Sequence, residues 1–167
     1  VMSASNEGHL PQPESCYLGT LNLFSYGDHP ALITVGSVDL THEISPFSSV
    51  GKGAHHLPWI AAYGSGEVST LSQTIEDSWF NRLNPLARQW YWLKHAHPDG
   101  TSYAAPQVAL LCALMKELSP ERSVGELKQI LAETAIPVCG QAKNTRHAQV
   151  GYGVMNPKQA VELVLSS

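Results

Sequence analysis

The spacing of apolar residues changes character several times along this chain, and each change predicts an element. Val1-Met2-Ser3-Ala4 reads as the end of a buried strand. Residues 7–30 hold Pro11, Pro13, Gly19, Gly27 and Pro30 with no sustained period, which predicts a loop. Ala31 to Val38 is dense in β-branched residues and predicts a strand, and Ile44 to Val50 predicts a short extended continuation. Pro58 to Tyr63 predicts another short strand, ended by Gly64 and Gly66. Ile75 to Leu93 mixes Trp79, Phe80, Trp90, Tyr91 and Trp92 around Pro85, which predicts an insertion with one or two short helices.

The run 102–118 is almost wholly small or apolar, so a helix buried on every side is expected at the centre of the fold. Pro106 lies in its first turns, where a missing N–H is expected to cost little. Ser123 with Glu126 three residues on predicts a capping box, followed by an amphipathic helix that buries Leu127, Ile130 and Leu131. Asn156-Pro157 supplies an N-cap and a first helical residue for a last helix, with Ala160, Val161, Val164 and Leu165 on its apolar face. Fully apolar strands alternating with helices predict a parallel sheet in an α/β fold.

A length of 167 residues fits one domain or a large piece of one. The net charge of −4 and the absence of a basic cluster argue against a nucleic-acid partner. No run of 18 apolar residues is present, so no membrane span is expected. Val1 to Ala4 shows no charged leader segment. Cys16, Cys112 and Cys139 are too few for a disulfide framework; one pair plus one thiol is the most they allow, and Cys112 falls in the apolar helix as an inert buried thiol.

Candidate chemistry concentrates in Asp99-Gly100-Thr101-Ser102-Tyr103-Ala104-Ala105-Pro106-Gln107-Val108. A Gly-Thr-Ser turn entering a helix can lift a serine hydroxyl at the helix N-terminus, where free N–H groups and the macrodipole favour developing negative charge. Taken alone the triplet is a weak signal and reads first as an ordinary N-cap. A nucleophilic serine also needs a base and donors for the oxyanion. Asn6, after the apolar strand end, is a candidate donor. His95, His97 and Asp99, with His55-His56, raise a zinc reading, but no predicted element holds them together. Asp28, Asp39, Glu43 and Asp77 form no recognisable calcium loop, so no cofactor is assigned, structural calcium remaining open. The aromatic insertion reads as a locally packed excursion or as a rim beside a cleft.

The triplet does not stand alone. Ser3-Ala4-Ser5-Asn6-Glu7-Gly8 is similar to the Ala-Ala-Gly-Asn-Glu-Gly segment of the subtilisin-like serine peptidases. Ile33 to Asp39, with Phe47-Ser48-Ser49-Val50-Gly51, resembles that family's Val-Gly-Ala-Val-Asp and Phe-Ser-Ser-Xaa-Gly segments. Ile60 to Gly66 resembles its Ile-Ala-Ala-Pro-Gly turn, Gly100 to Pro106 its nucleophile motif, and Gly151 to Asn156 its closing motif. The resemblance implies the C-terminal half of a subtilisin-like three-layer parallel-sheet fold spanning residues 1–167, with an insertion at about 72–97. It implies Ser102 as nucleophile and Asn6 as oxyanion donor, with Ser3, Ala4, Ser5 and Thr101 at the substrate, and a secreted or exported protein.

Three positions depart from the family: Ser5 stands where it has glycine, Tyr63 where it has proline, and Gln107 where it has histidine. The substitution at Ser5 is expected to reshape the wall of the pocket for the residue preceding the scissile bond. No Asp-Xaa-Gly or His-Gly-Thr segment occurs, and the eight histidines all lie at positions the family does not use as base. The resemblance therefore implies an upstream or partner fragment that supplies Asp and His. The alternative is a catalytically inactive peptide-binding or structural module. A sheet beginning at Val1 without neighbours would expose an edge and an apolar face, and poor stability is expected for these residues in isolation.

Overall fold

Side chains in a strand alternate between faces, and three short apolar strands here use that alternation to build two cores. The computed structural model describes residues 1–6, 8, 31–51, 58–66, 69–70, 95–96 and 99–166. In it β1 (Met2–Ser3), β2 (Thr34–Val38) and β3 (Ile60–Tyr63) form a parallel sheet in that order. Met2 stands beside Thr34, and Val35 beside Ile60. Val35, Ile60 and Ala62 belong to one core, packed under helices α1 (Thr101–Leu118), α2 (Val124–Thr134) and α3 (Pro157–Ser166). Val38 and Ala61 belong to the other, covered by Val138, Val150 and Val154 from the irregular stretch that follows α2. Val154 also bridges Ala61 in parallel and Ile136 in antiparallel fashion, which carries the sheet one step past β3.

The chain is an α/β protein with parallel strands. β4 (Ser69–Thr70) and β5 (His95–Ala96) pair antiparallel at the two ends of the aromatic stretch, which itself lies outside the described residues. The loop expected at 7–30, apart from Gly8, and the His55-His56 pair also lie outside them. Among the described residues no helix is long and apolar enough to cross a membrane.

Four expectations are corrected. α1 is not buried all round: Ala104, Val108, Leu111 and Met115 are inside, while Leu110 is 73% exposed and Leu114 and Leu118 are each 41% exposed. The sheet and α3 cover one face only among the described residues. Pro106 is the sixth helical residue, beyond the four N–H groups that have no partner in any helix, so its ring removes the bond to the Ser102 carbonyl. Leu165 is 67% exposed on the outer side of α3. Ile44 to Val50 does not run on extended. The Asp39 carboxylate accepts from the Thr41 N–H and hydroxyl (2.8 and 2.7 Å) and the Glu43 N–H (2.9 Å), reversing the chain so that Ile44 bridges back to Val38. The Thr41 hydroxyl bond is the main cause that holds the Asp39 carboxyl below its ordinary range.

Both helix caps form as expected. The Ser123 Oγ accepts from the Glu126 N–H (3.3 Å) and the Glu126 carboxylate accepts from the Ser123 N–H (2.7 Å). The Asn156 side chain accepts from the Gln159 N–H at 3.2 Å, with Pro157 as the first helical residue.

Candidate active site

The site grows from the C-terminal ends of the strands. Beyond β1 the Ala4 N–H still donates to the Val35 carbonyl (2.8 Å), and Ala4 is fully buried. Ser3 and Ser5 are half-buried. Ser5 then takes φ +77°, the left-handed region that favours glycine. That turn swings the chain off the sheet, and the Ser5 carbonyl accepts from the Ser49 N–H at 3.1 Å. The physical demand at this position is thus for a glycine-like backbone, which serine meets with strain.

Asn6 emerges exposed at the sheet edge. Its Oδ1 accepts from the Thr101 N–H (2.8 Å) and from the Thr101 hydroxyl (2.9 Å). A backbone N–H can only donate, so this end of the carboxamide is fixed as the carbonyl oxygen. The two N–H donors of Nδ2 are left at the other end, beside Gly100.

Gly100 is the N-cap of α1 and no side chain caps the helix from within the turn. The cap role weighed for the triplet is filled from a distance, because Asn6 takes the first orphan N–H. Thr101 is fully buried and Ser102, one residue on, is exposed. Ser102 lies in the first turn, where N–H groups lack helical acceptors and the dipole is positive.

Sequence reasoning missed what holds this turn against the sheet. The Gly100 N–H donates to the Gly64 carbonyl at 2.7 Å. A Cβ on Gly64 would sit 2.6 Å from the Gly100 carbonyl oxygen and 2.5 Å from the Ser37 Oγ, so only glycine permits the approach. Gln107 Nε2 donates to the Tyr63 carbonyl (2.6 Å) and to the Tyr103 carbonyl (3.1 Å). His42 Nε2 and Tyr63 Oη are 2.7 Å apart. Tyr63 and Gln107, singled out separately as departures, are bonded to each other through the Tyr63 backbone carbonyl, so neither side chain signalled the pairing.

Asp99 joins two loops, while His97, weighed with it as a zinc ligand, lies outside the described residues. The Asp99 carboxylate accepts from the Ser65 hydroxyl (2.8 Å) and the Gly66 N–H (3.1 Å), tying the loop after β3 to the loop before α1. Among the described residues no three His, Cys, Asp or Glu side chains are grouped to hold a metal ion. His147 accepts from the Gln149 N–H through Nδ1 (3.3 Å) and pairs with Gly151. Cys112 and Cys139 are both free thiols, and burial pushes the Cys112 thiol above its ordinary range.

A parallel sheet with an exposed serine at a helix N-terminus, braced by a carboxamide from a neighbouring strand end, is the arrangement of an α/β protein related to the serine proteases. The subtilase family, peptidase S8, matches residues 1–153, and the chain belongs to it. It is 28% identical over 141 residues to bacillopeptidase F of Bacillus subtilis strain 168, a match covering 82% of this chain and 8% of that protein. It is 32% identical over 112 residues to mycosin-4 of Mycobacterium tuberculosis strain H37Rv, covering 66% of this chain and 21% of that protein. The structure of the Clostridium perfringens CspB protease superposes with a TM-score of 0.60 at 25% identity, over 83% of this chain and 29% of that one. The chain thus spans less than a quarter of the length of these two curated relatives.

Proposed function

We propose that residues 1–167 are the C-terminal part of a single peptidase domain and that it hydrolyses peptide bonds through an acyl-enzyme. Ser102 Oγ attacks the carbonyl carbon of the scissile bond. Its proton passes to a histidine, oriented by an aspartate, both supplied by polypeptide outside these residues. The same proton then goes to the leaving amine as the C–N bond breaks, and water hydrolyses the ester. Asn6 Nδ2 and the Ser102 N–H stabilise the oxyanion, while Ser3, Ala4, Ser5 and Thr101 border the bound peptide.

The observation that carries this reading is the two-point bond from Asn6 Oδ1 to Thr101, which fixes the donor end of the carboxamide beside the turn that exposes Ser102. The apolar outer side of α1, with Leu110, Leu114 and Leu118 uncovered, supports packing of that further polypeptide here. The test is fluorophosphonate labelling of the assembled full-length protein. Ser102 is labelled, and Ser102→Ala abolishes labelling and turnover. If the folded assembly stays unlabelled while a control serine peptidase reacts, the chain is a non-catalytic peptide-binding or structural module.

A further inference from the structure

Pro106 weakens α1 at the residue where the proposed chemistry needs it most rigid. It withholds the N–H that would bond the Ser102 carbonyl, and a proline ring inside a helix crowds that same carbonyl. The turn carrying Ser102 therefore depends on ties from outside the helix. Two come from Asn6 and Gly64, ahead of or at the start of the turn. On the far side the tie is Gln107. Its amide reaches across to the Tyr63 carbonyl at the end of β3 and back to the Tyr103 carbonyl next to Ser102.

The anchor of that tie is itself braced. Tyr63 is partnered with Val38 in the sheet, and its hydroxyl bonds His42, whose ring lies 5.7 Å from the tyrosine ring. His42 sits at φ +67° in the reversed turn that Asp39 organises. A side chain held in that backbone conformation persists only where its surroundings fix it. One line of contacts thus runs from the Asp39 turn through His42 and Tyr63 to Gln107 and the first turns of α1.

We propose that Gln107 is a positioning residue for Ser102, with Tyr63 as its anchor and His42 as the brace of that anchor. This rests on Ser102 being the nucleophile. Misplacement of a reacting group by about 1 Å can cost up to ~10²-fold in rate, so a tie of this kind acts on the acylation step and not on peptide binding.

The test compares Gln107→Met, which fills similar space without a donor, with Gln107→His, which restores a ring N–H, in the assembled full-length protein. Gln107→Met lowers kcat and the fluorophosphonate labelling rate about tenfold with KM unchanged, and Gln107→His recovers most of the loss. Tyr63→Phe, which removes the hydroxyl bond to His42 and keeps the ring and the backbone carbonyl, gives a smaller loss in kcat. Wild-type rates in Gln107→Met, or a rise in KM with kcat intact, overturn the inference while leaving Ser102 as nucleophile. A wild-type protein that no probe labels overturns both.

Discussion

The two ends of the one parallel sheet are held by different physics. At the C-terminal ends of the strands, small residues and backbone groups meet at close range: Gly64 against Gly100, and Asn6 against Thr101. At the N-terminal ends a bulky aromatic cluster does the work. Trp59, just ahead of β3, meets Tyr152 edge-on with ring centres 5.1 Å apart. The Lys128 ammonium lies 4.1 Å from the Trp59 ring centre and the Arg146 guanidinium 5.1 Å from it. Lys128 and Arg146 also donate to the Leu32 and Pro58 carbonyls, at 2.9 and 3.1 Å. Burial first, and the Arg146 charge second, lower the Lys128 pKa from its ordinary value. The comparison teaches a division of labour: directional polar contacts set geometry at one end, while apolar area and cation–π contact supply stability at the other.

The largest effect that sharpens this division is expected at Asn6. Asn6→Asp keeps the acceptor for both Thr101 donors and loses the Nδ2 donor. Its kcat falls by ~10²–10³-fold, a figure that comes from removing one oxyanion donor in a subtilisin and not from this geometry. Its thermal midpoint stays close to wild type. Asn6→Ala loses the same activity and also strands the buried Thr101 N–H and hydroxyl, at a cost of about 1–3 kcal/mol. Denaturant titration beside kinetics separates the two. Equal stability loss in both variants would show that the acceptor end of Asn6 contributes nothing to the fold.

Trp59 is the mirror experiment. Trp59→Ala removes the half-buried ring from Tyr152, Lys128 and Arg146 together, and its indole N–H from the Lys128 carbonyl (2.8 Å). A loss of about 3 kcal/mol is expected, at the low end for a large aromatic because the ring is not fully buried. At a temperature where the variant is still folded, its labelling rate matches wild type. A slowed rate in the folded variant would break the division, since it would mean that strain at one end of β3 reaches the other.

What could be read from the residues follows the same division. The three strands of the parallel sheet, the caps at Ser123 and Asn156 and the pairing of Asn6 with the Gly100–Ser102 turn were legible because each has a signature in the sequence: apolar and β-branched density, a capping box, an ordered set of motifs; the short pair β4 and β5, with His95 in it, has none. The exposed side of α1 was not, because composition reports that Leu110 and Leu114 are apolar and says nothing of which elements reach them. Nor was the turn after Asp39, where a side chain bonding backbone N–H groups two and four residues on overrides the extended preference of Ile44 and Val50. The bond between Gln107 and Tyr63 joins residues 44 apart in sequence and uses a backbone carbonyl, so nothing in either side chain announces the other. The aromatic cluster at Trp59 was invisible for a related reason: its cations come from α2 and from the irregular stretch after it.

The smallest expected effect lies at the start of α2, the helix that brings Lys128 to Trp59. The Glu126 carboxyl is held below its ordinary range, first by the Ser123 N–H and then by the Ser123 hydroxyl. A carboxyl whose pKa is lower in the folded chain than in the unfolded one adds stability above the unfolded value. That contribution is lost as pH falls through the folded value. Wild type is therefore slightly more stable than Glu126→Gln near neutral pH, the two converge as pH falls below the ordinary glutamate range, and labelling rates are the same throughout. The carboxylate is exposed, so solvent screens the effect and only a paired comparison of thermal midpoints across pH resolves it. Midpoint curves that coincide at every pH would mean that the neutral amide caps as well as the carboxylate, and that the charge on Glu126 adds nothing to the hold that Leu127 and Leu131 give α2 on the core.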